Sequence, residues 1–313
     1  MKLSALLHRL FLGLAWVILI GGLGCAIYWV LHLQKTTSQL TIPLPPITLL
    51  AAPPQPVTPA TPVSTDQRPA YQKFARILQK PVHGARIAIV ITDVGPNEIL
   101  ARSLIQDLPA EITLAFSAYT PNLSSVMRQA RAFGHETVLM MPMEPSTYPR
   151  RDPGPLTLLT GMKPAEMLNR LTQILHLGQD YVGVTNYMGS RFMNSTEDMR
   201  PLLKELRAQG VLFLDSQSAY KSAIQQIAEE ISLPYLQTTD NIDVEISAQP
   251  LSELLQRLID RSAEHSTLVV RLSAMPAVVE TLKTWVRLLP SQSITLVPLT
   301  SVLPASQRPK LSV

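Results

Sequence analysis

Cysteine is nearly absent: Cys25 is the one thiol in 313 residues. A single chain can therefore form no disulfide framework and no cysteine zinc site. Charge is sparse as well, with charged residues at 16% and a formal net charge of +4. No basic run interleaves with aromatics, which argues against a nucleic-acid partner. A Gly-x-Ser-x-Gly elbow is also missing. Ser190 and Ser216 fall near expected strand ends without a partnering histidine, so a Ser-His-Asp hydrolase has little to stand on.

What the chain does have begins at its N-terminus. Leu10 to Leu33 is apolar apart from glycines and His32, long enough as a helix to cross a bilayer. Lys2 and Arg9 precede it and Lys35 follows, so the positive-inside bias leaves residues 1–9 in the cytoplasm. Residues 10–33 read as a single-pass anchor in the inner membrane, with the remainder in the periplasm. The competing reading is a cleaved signal peptide, because Gly22-Leu23-Gly24-Cys25 resembles a lipoprotein cleavage site. Nine prolines then fall between Thr36 and Ala70. Such a stretch favours extended polyproline II at about 3.1 Å per residue, a reach on the order of 100 Å. Residues 34–82 are accordingly a spacer, 83–305 the folded domain and 306–313 a tail.

Within the domain, apolar runs alternate with helical patterns. Strands are expected at Ile87–Thr92, Ile112–Phe116, Thr137–Met141, Tyr181–Thr185, Val211–Leu214, Leu268–Arg271 and Ile294–Val297. Helices are expected at Asn97–Gln106, Asn122–Phe133, Pro164–Leu177, Thr196–Ala208, Ala219–Ile231, Leu251–Ala263 and Ala277–Leu289, with a short one at Tyr71–Gln79. Asn241–Ile246 reads as a further strand or an edge ribbon. Strict alternation implies a parallel sheet, and seven or eight units over this length suit a (β/α) barrel better than an open doubly wound sheet.

The first of these strands carries the first candidate. Ile87 to Thr92 is apolar or β-branched without alternation, as in a strand buried on both faces. Asp93 follows, and Gly95-Pro96 breaks the strand, so the Asp93 carboxylate stands where α/β folds place ligands. An aspartate in this position can also simply organise the turn. The other strand ends bring Glu144, Asn186, Tyr187, Ser190, Arg191, Asp215 and Ser216, together with Tyr119 and several methionines. These polar groups can bind a sugar, with Tyr119 or Tyr187 stacked on its face, or satisfy one another in a buried network such as Arg191 with Asp215. The methionines either fill space or, as thioethers, favour Cu(I). The domain's histidines map away from the strand ends, His135 as a surface or capping residue.

Taken together, Ile89-Val90-Ile91-Thr92-Asp93-Val94-Gly95, Leu114 to Tyr119, Pro142-Met143-Glu144-Pro145, Asn186 to Phe192 and Phe213-Leu214-Asp215-Ser216 resemble the divergent polysaccharide deacetylase family, related to metal-dependent carbohydrate esterases. The resemblance implies a distorted (β/α) barrel, with a mouth that holds zinc or another divalent cation through an aspartate and histidines and hydrolyses N-acetyl groups. Asp93 is the one family-type ligand that remains, and the catalytic residue if the chain is active. Thr92 stands where the family has a second aspartate, and Met140, Tyr187 and Met275 stand where it has histidines. A phenol and thioethers are poor zinc ligands, so the resemblance implies a degenerate site without a metal cofactor that binds or organises cell-envelope polysaccharide. A deacetylase with a rearranged site and an envelope protein-interaction scaffold are the alternatives.

Overall fold

The computed structural model describes residues 28–29, 67–78, 82–217, 223–243 and 249–309. The expected membrane span 10–33 and most of the spacer lie outside these residues. Among the described residues, no helix is long and apolar enough to cross a membrane.

Nine strands form one parallel sheet. They are β1 (Ala85–Val94), β2 (Thr113–Ser117), β3 (Thr137–Met143), β4 (Gly183–Met188), β5 (Leu212–Asp215), β6 (Tyr235–Gln237), β7 (Asp240–Ile242), β8 (Thr267–Ser273) and β9 (Ile294–Leu296). Their order is β6-β5-β4-β3-β2-β1-β8-β7, with β9 added on β1. After one turn of helix, α1 (Ala70–Lys73), the connections carry α2 (Glu98–Asp107), α3 (Leu123–Ala132), α4 (Pro164–Leu177), α5 (Thr196–Ala208), α6 (Ala223–Glu230), α7 (Leu251–Ser262) and α8 (Pro276–Val286).

The sheet is curled, and its two outermost strands, β6 and β7, are consecutive in the chain. Only Thr238 and Thr239 separate them. The Thr238 amide donates to Asp215 O on one side and the Thr239 amide to Val269 O on the other, so one extended run passes from one edge of the curl to the other.

Strand periodicity divides the core in two. On β1, Ile87, Ile89 and Ile91 join the large cluster beneath the helices. Ala88 and Val90 face inward with Ala115, Val138, Met140, Leu212, Leu214 and Val269. The N-terminal end of this interior is stopped by Tyr71 and by the 3₁₀ turn Leu299–Val302. Helix starts follow local chemistry: Asn97 accepts from the Leu100 amide before α2, Ser195 accepts from the Asp198 amide before α5, and Pro164 and Pro276 open α4 and α8.

Several boundaries differ from the sequence reading. β4 starts two residues later than expected and continues through Asn186, Tyr187 and Met188, because Pro142 and Met143 at the end of β3 supply parallel partners for it. The helix expected at Tyr71–Gln79 is one turn, since the following chain is held extended by the Arg76 amide bonding to Glu136. β6 is a strand that its three residues, Tyr235-Leu236-Gln237, were too few to announce. Asp240–Ile242 is the strand foreshadowed at Asn241–Ile246, of which residues 244–246 lie outside the described ones.

Candidate functional site

At the C-terminal end of the sheet the chain leaves β1 abruptly. Pairing with β2 slips between Ile91 and Val94, and Asp93 adopts a left-handed φ of 63°, a conformation that aspartate tolerates better than most residues. The Asp93 amide points at the Met140 sulfur, 3.1 Å away, and Asp93 Oδ2 accepts the Thr92 hydroxyl at 2.8 Å. Gly95 follows with a φ of 118°, and a Cβ there would stand 2.0 Å from Thr120 Oγ1. Only glycine fits that close turn.

Asp93 lies in a cavity of about 450 Å³. Thr92 and Met140 form its floor with Arg271 and Ser273 of β8. Asn186, Tyr187 and Met188 of β4 line one wall, and Ser216, Gln217, Asp243 and Arg151 complete the opening. Asn186 is nearly buried. Its Oδ1 accepts from the Ser216 amide at 2.9 Å and from the Ser216 hydroxyl at 3.0 Å, while its Nδ2 donates to Met188 O at 2.8 Å. It fixes the β4 and β5 loops against each other. Burial pushes the Tyr187 phenol above its ordinary pKa, the Asp93 carboxylate adds to that effect, and the Arg151 guanidinium opposes it. Tyr187 is therefore a neutral hydroxyl at physiological pH, within electrostatic reach of both charges.

Of the residues singled out from sequence, Asp93, Asn186, Tyr187 and Ser216 meet in this cavity, and Glu144, Ser190, Arg191 and Asp215 do not line it. Glu144 is a structural pin. Burial raises its pKa, but hydrogen bonds from the Thr160 hydroxyl and amide, 2.7 Å each, together with Arg191 Nη1 at 3.1 Å, outweigh burial and hold the carboxyl below its ordinary value. Glu144 O also accepts from the Arg191 and Phe192 amides. Arg191 thus pairs with Glu144, not with Asp215, because the loop after β4 folds back over the end of β3. Ser190 ties the same loops through Ser146, accepting from its amide at 2.9 Å. Asp215 is 2% exposed and accepts from the Tyr235 hydroxyl and the Gln217 amide. Burial raises its pKa and these two bonds oppose the rise. Tyr119 lies outside the cavity, its hydroxyl accepting from the Leu156 amide.

One sequence expectation about a side chain changes, and the space-filling reading of the methionines agrees with the packing. His135 is fully buried, with Nδ1 2.7 Å from Ile112 O and Nε2 3.0 Å from Ile105 O. It fills a gap between the end of α2 and the start of β2, where two carbonyls face inward. Met141, Met143 and Met193 belong to the core beneath the helices, which leaves only Met140 and Met188 on the cavity wall. Arg151 and Gln217 were not singled out from sequence, and Arg271 was noted only as a strand end. The signal available for Arg271 was an arginine two residues after a buried valine in an otherwise apolar strand.

The donor set does not fit the divalent cation that the fold family implies. Among the described residues, no three His, Cys, Asp or Glu side chains converge. Around Asp93 stand a hydroxyl, a thioether, a phenol and, through Thr92, the Arg271 guanidinium, and Asp243 at the opening is the one further carboxylate among the described lining residues. A borderline divalent ion needs imidazole, thiolate or further carboxylates, and a fixed positive charge opposes it.

Comparison with known proteins agrees with the topology. The divergent polysaccharide deacetylase family matches residues 89–303, and the chain belongs to that family. An uncharacterized protein of Haemophilus influenzae is 30% identical over 146 residues, 47% of this chain and 51% of its own; the chain thus spans about half the length of that relative. The uncharacterized protein YibQ of Escherichia coli is 25% identical over 72% of this chain and 70% of its own. The crystal structure of the uncharacterized protein ATU2773 from Agrobacterium tumefaciens superposes with a TM-score of 0.70 at 30% identity, covering 77% of this chain and 97% of the other.

Proposed function

We propose that this protein binds N-acetylated polysaccharide of the cell envelope at the mouth of its sheet without hydrolysing it. The observation that carries the reading is the composition of that mouth: a cavity of about 450 Å³ in which, among the described residues, Asp93 is not joined by two further His, Cys, Asp or Glu ligands but has polar neighbours suited to a sugar. Asn186 holds the Ser216 loop in place, Tyr187 offers a ring face and a neutral hydroxyl, and Asp93 accepts from an amide or a hydroxyl. In metal-dependent deacetylation the cation polarises the acetyl carbonyl and lowers the pKa of the attacking water. None of the side chains around Asp93 replaces both effects.

The apolar stretch 10–33, the charges that flank it and the proline-rich residues 34–82 support an inner-membrane anchor with a periplasmic spacer. The mouth would then face the wall polymer.

The test uses the full chain purified without chelators. The expected result is calorimetric binding of N-acetylglucosamine oligomers, weakened by Tyr187→Ala, with no stoichiometric metal and no acetate release. Stoichiometric zinc together with acetate release that Asp93→Ala abolishes would overturn the proposal in favour of a working deacetylase.

A further inference from the structure

The inward face of β8 changes character toward the mouth. Val269 belongs to the interior apolar cluster, and the next inward residue is Arg271. Its register neighbours are Val90 of β1 and Asn241 of β7, so the half-buried Arg271 side chain stands one layer beneath the Thr92–Ser273 pair, where the apolar interior meets the cavity. Arginine does not lose its proton in proteins. A charge partly withdrawn from water is stabilised by a partner.

Arg271 has little of that kind. Its Nε is shut off from solvent without a hydrogen-bond partner, and among the described residues the side chain's one hydrogen bond is the long contact from Nη1 to Thr92 Oγ1, 3.4 Å. Among the described residues, neither Arg271 nor Arg151 at the rim of the same cavity forms an ion pair, although Asp93 and Asp243 also line it. Arg76, Arg191 and Arg261, by contrast, pair with Glu111, Glu144 and Asp240. Beside the guanidinium the cavity also holds an acceptor: Asp93, which shares the Thr92 hydroxyl with Arg271. The adjacent acceptor and guanidinium call for a ligand that carries a hydrogen-bond donor and an anion close together. An N-acyl amino sugar offers the first through its amide N–H, and a sugar carboxylate offers the second in the planar form that a guanidinium fork binds best.

We infer that the mouth selects an acidic sugar, a polymer of N-acylated hexosamine carrying a carboxylate, with Arg271 as the carboxylate-binding residue and Arg151 adding positive charge at the rim. This rests on the sugar-binding reading above.

The test titrates the full chain with a neutral N-acetylglucosamine pentamer, with a tetrasaccharide alternating N-acetylglucosamine and glucuronate, and with acetate alone. Calorimetry gives the affinities, and the Nε–Hε resonance of Arg271, assigned by its loss in Arg271→Lys, reports the contact. The acidic oligomer should bind roughly ten- to a hundredfold more tightly than the neutral one, the range of a charge-assisted hydrogen bond, and should shift the Arg271 resonance. Arg271→Met should collapse the ratio between the two affinities. Arg271→Lys, which keeps the charge without the fork and disturbs the interior less, should lose most of it. Equal affinities in the wild type, or a preference that survives in Arg271→Lys undiminished, would overturn the inference and leave sugar binding standing. Acetate that shifts Arg271 while neither oligomer binds would do the reverse, removing the sugar and keeping the anion site.

Discussion

Glu136 offers the sharpest quantitative check on the fold beneath the site. It is fully buried at the N-terminal end of β3, opposite the mouth, and accepts from the Thr300 amide and the Arg76 amide at 3.0 Å each and from the Thr300 hydroxyl. One carboxylate therefore joins β3, the chain entering the domain and the 3₁₀ turn that stops the interior. Glu136→Ala leaves two backbone donors without an acceptor in a place water does not reach. At roughly 1–3 kcal/mol for each orphaned donor, with a further contribution from the void, the loss is about 3–5 kcal/mol.

The pH dependence of this site has a definite sign. Burial raises the Glu136 pKa, and the Thr300 and Arg76 hydrogen bonds reverse only part of that rise. The folded state therefore holds the proton to higher pH than the unfolded chain. The contribution to stability is complete below the unfolded pKa and is lost as pH rises through the folded one. Glu136→Gln cannot ionise, so the difference between wild type and Glu136→Gln should drift in favour of the variant as pH rises from the ordinary carboxylate range. Urea unfolding followed by fluorescence reads both effects, helped by Trp285, which is 5% exposed. At neutral pH the midpoint of Glu136→Ala should fall on the order of 1 M. A Glu136→Ala midpoint within error of wild type, or parallel pH profiles for wild type and Glu136→Gln, would refute the reasoning.

Three other outcomes follow from the contacts described. Thr92→Asp, Met140→His and Tyr187→His combined should give the chain zinc retention measurable by metal analysis, since all three positions face Asp93 in one cavity; a triple variant that folds and retains no zinc would show that they do not form a common centre. Gly95→Ala should destabilise by about 2–4 kcal/mol in the same urea assay, because its Cβ meets Thr120 at a backbone φ of 118°. Arg191→Met should cost no more than about 1 kcal/mol, as its side chain is 58% exposed and its pair with Glu144 is screened, and it should leave oligomer affinity at the wild-type value; a large loss of binding would place Arg191 in the site after all.

Much of the architecture could be read directly from the chain. Buried runs such as Ile87–Ile91, helix-opening prolines and Asn or Ser caps are local signals, and they located seven of the parallel strands to within a few residues. β6 escaped because three half-buried residues carry no periodicity, and its strand character comes from pairing with β5. The site divided in the same way. Asp93, Asn186, Tyr187 and Ser216 follow directly from strand ends, whereas Glu144 and Arg191 come from strand ends too and yet bind each other. Whether a polar residue faces a cavity or a neighbouring loop depends on how that loop returns, and spacing along the chain does not encode it.

The chain alone determined that a parallel α/β domain would present Asp93 at the end of its first strand, a matter of short-range pattern, and the resemblance of its motifs to a family implied that a thioether, a phenol and a hydroxyl stand where that family has metal ligands. Only the tertiary structure decided that Arg271 stands beside that aspartate across the Thr92 hydroxyl without a direct ion pair among the described residues, that Arg151 joins it from a distant loop and that His135 is locked between two carbonyls. Charge balance in a folded interior depends on which strands become neighbours. Arg271 and Thr92 are 179 residues apart in sequence and meet only because β8 lies beside β1.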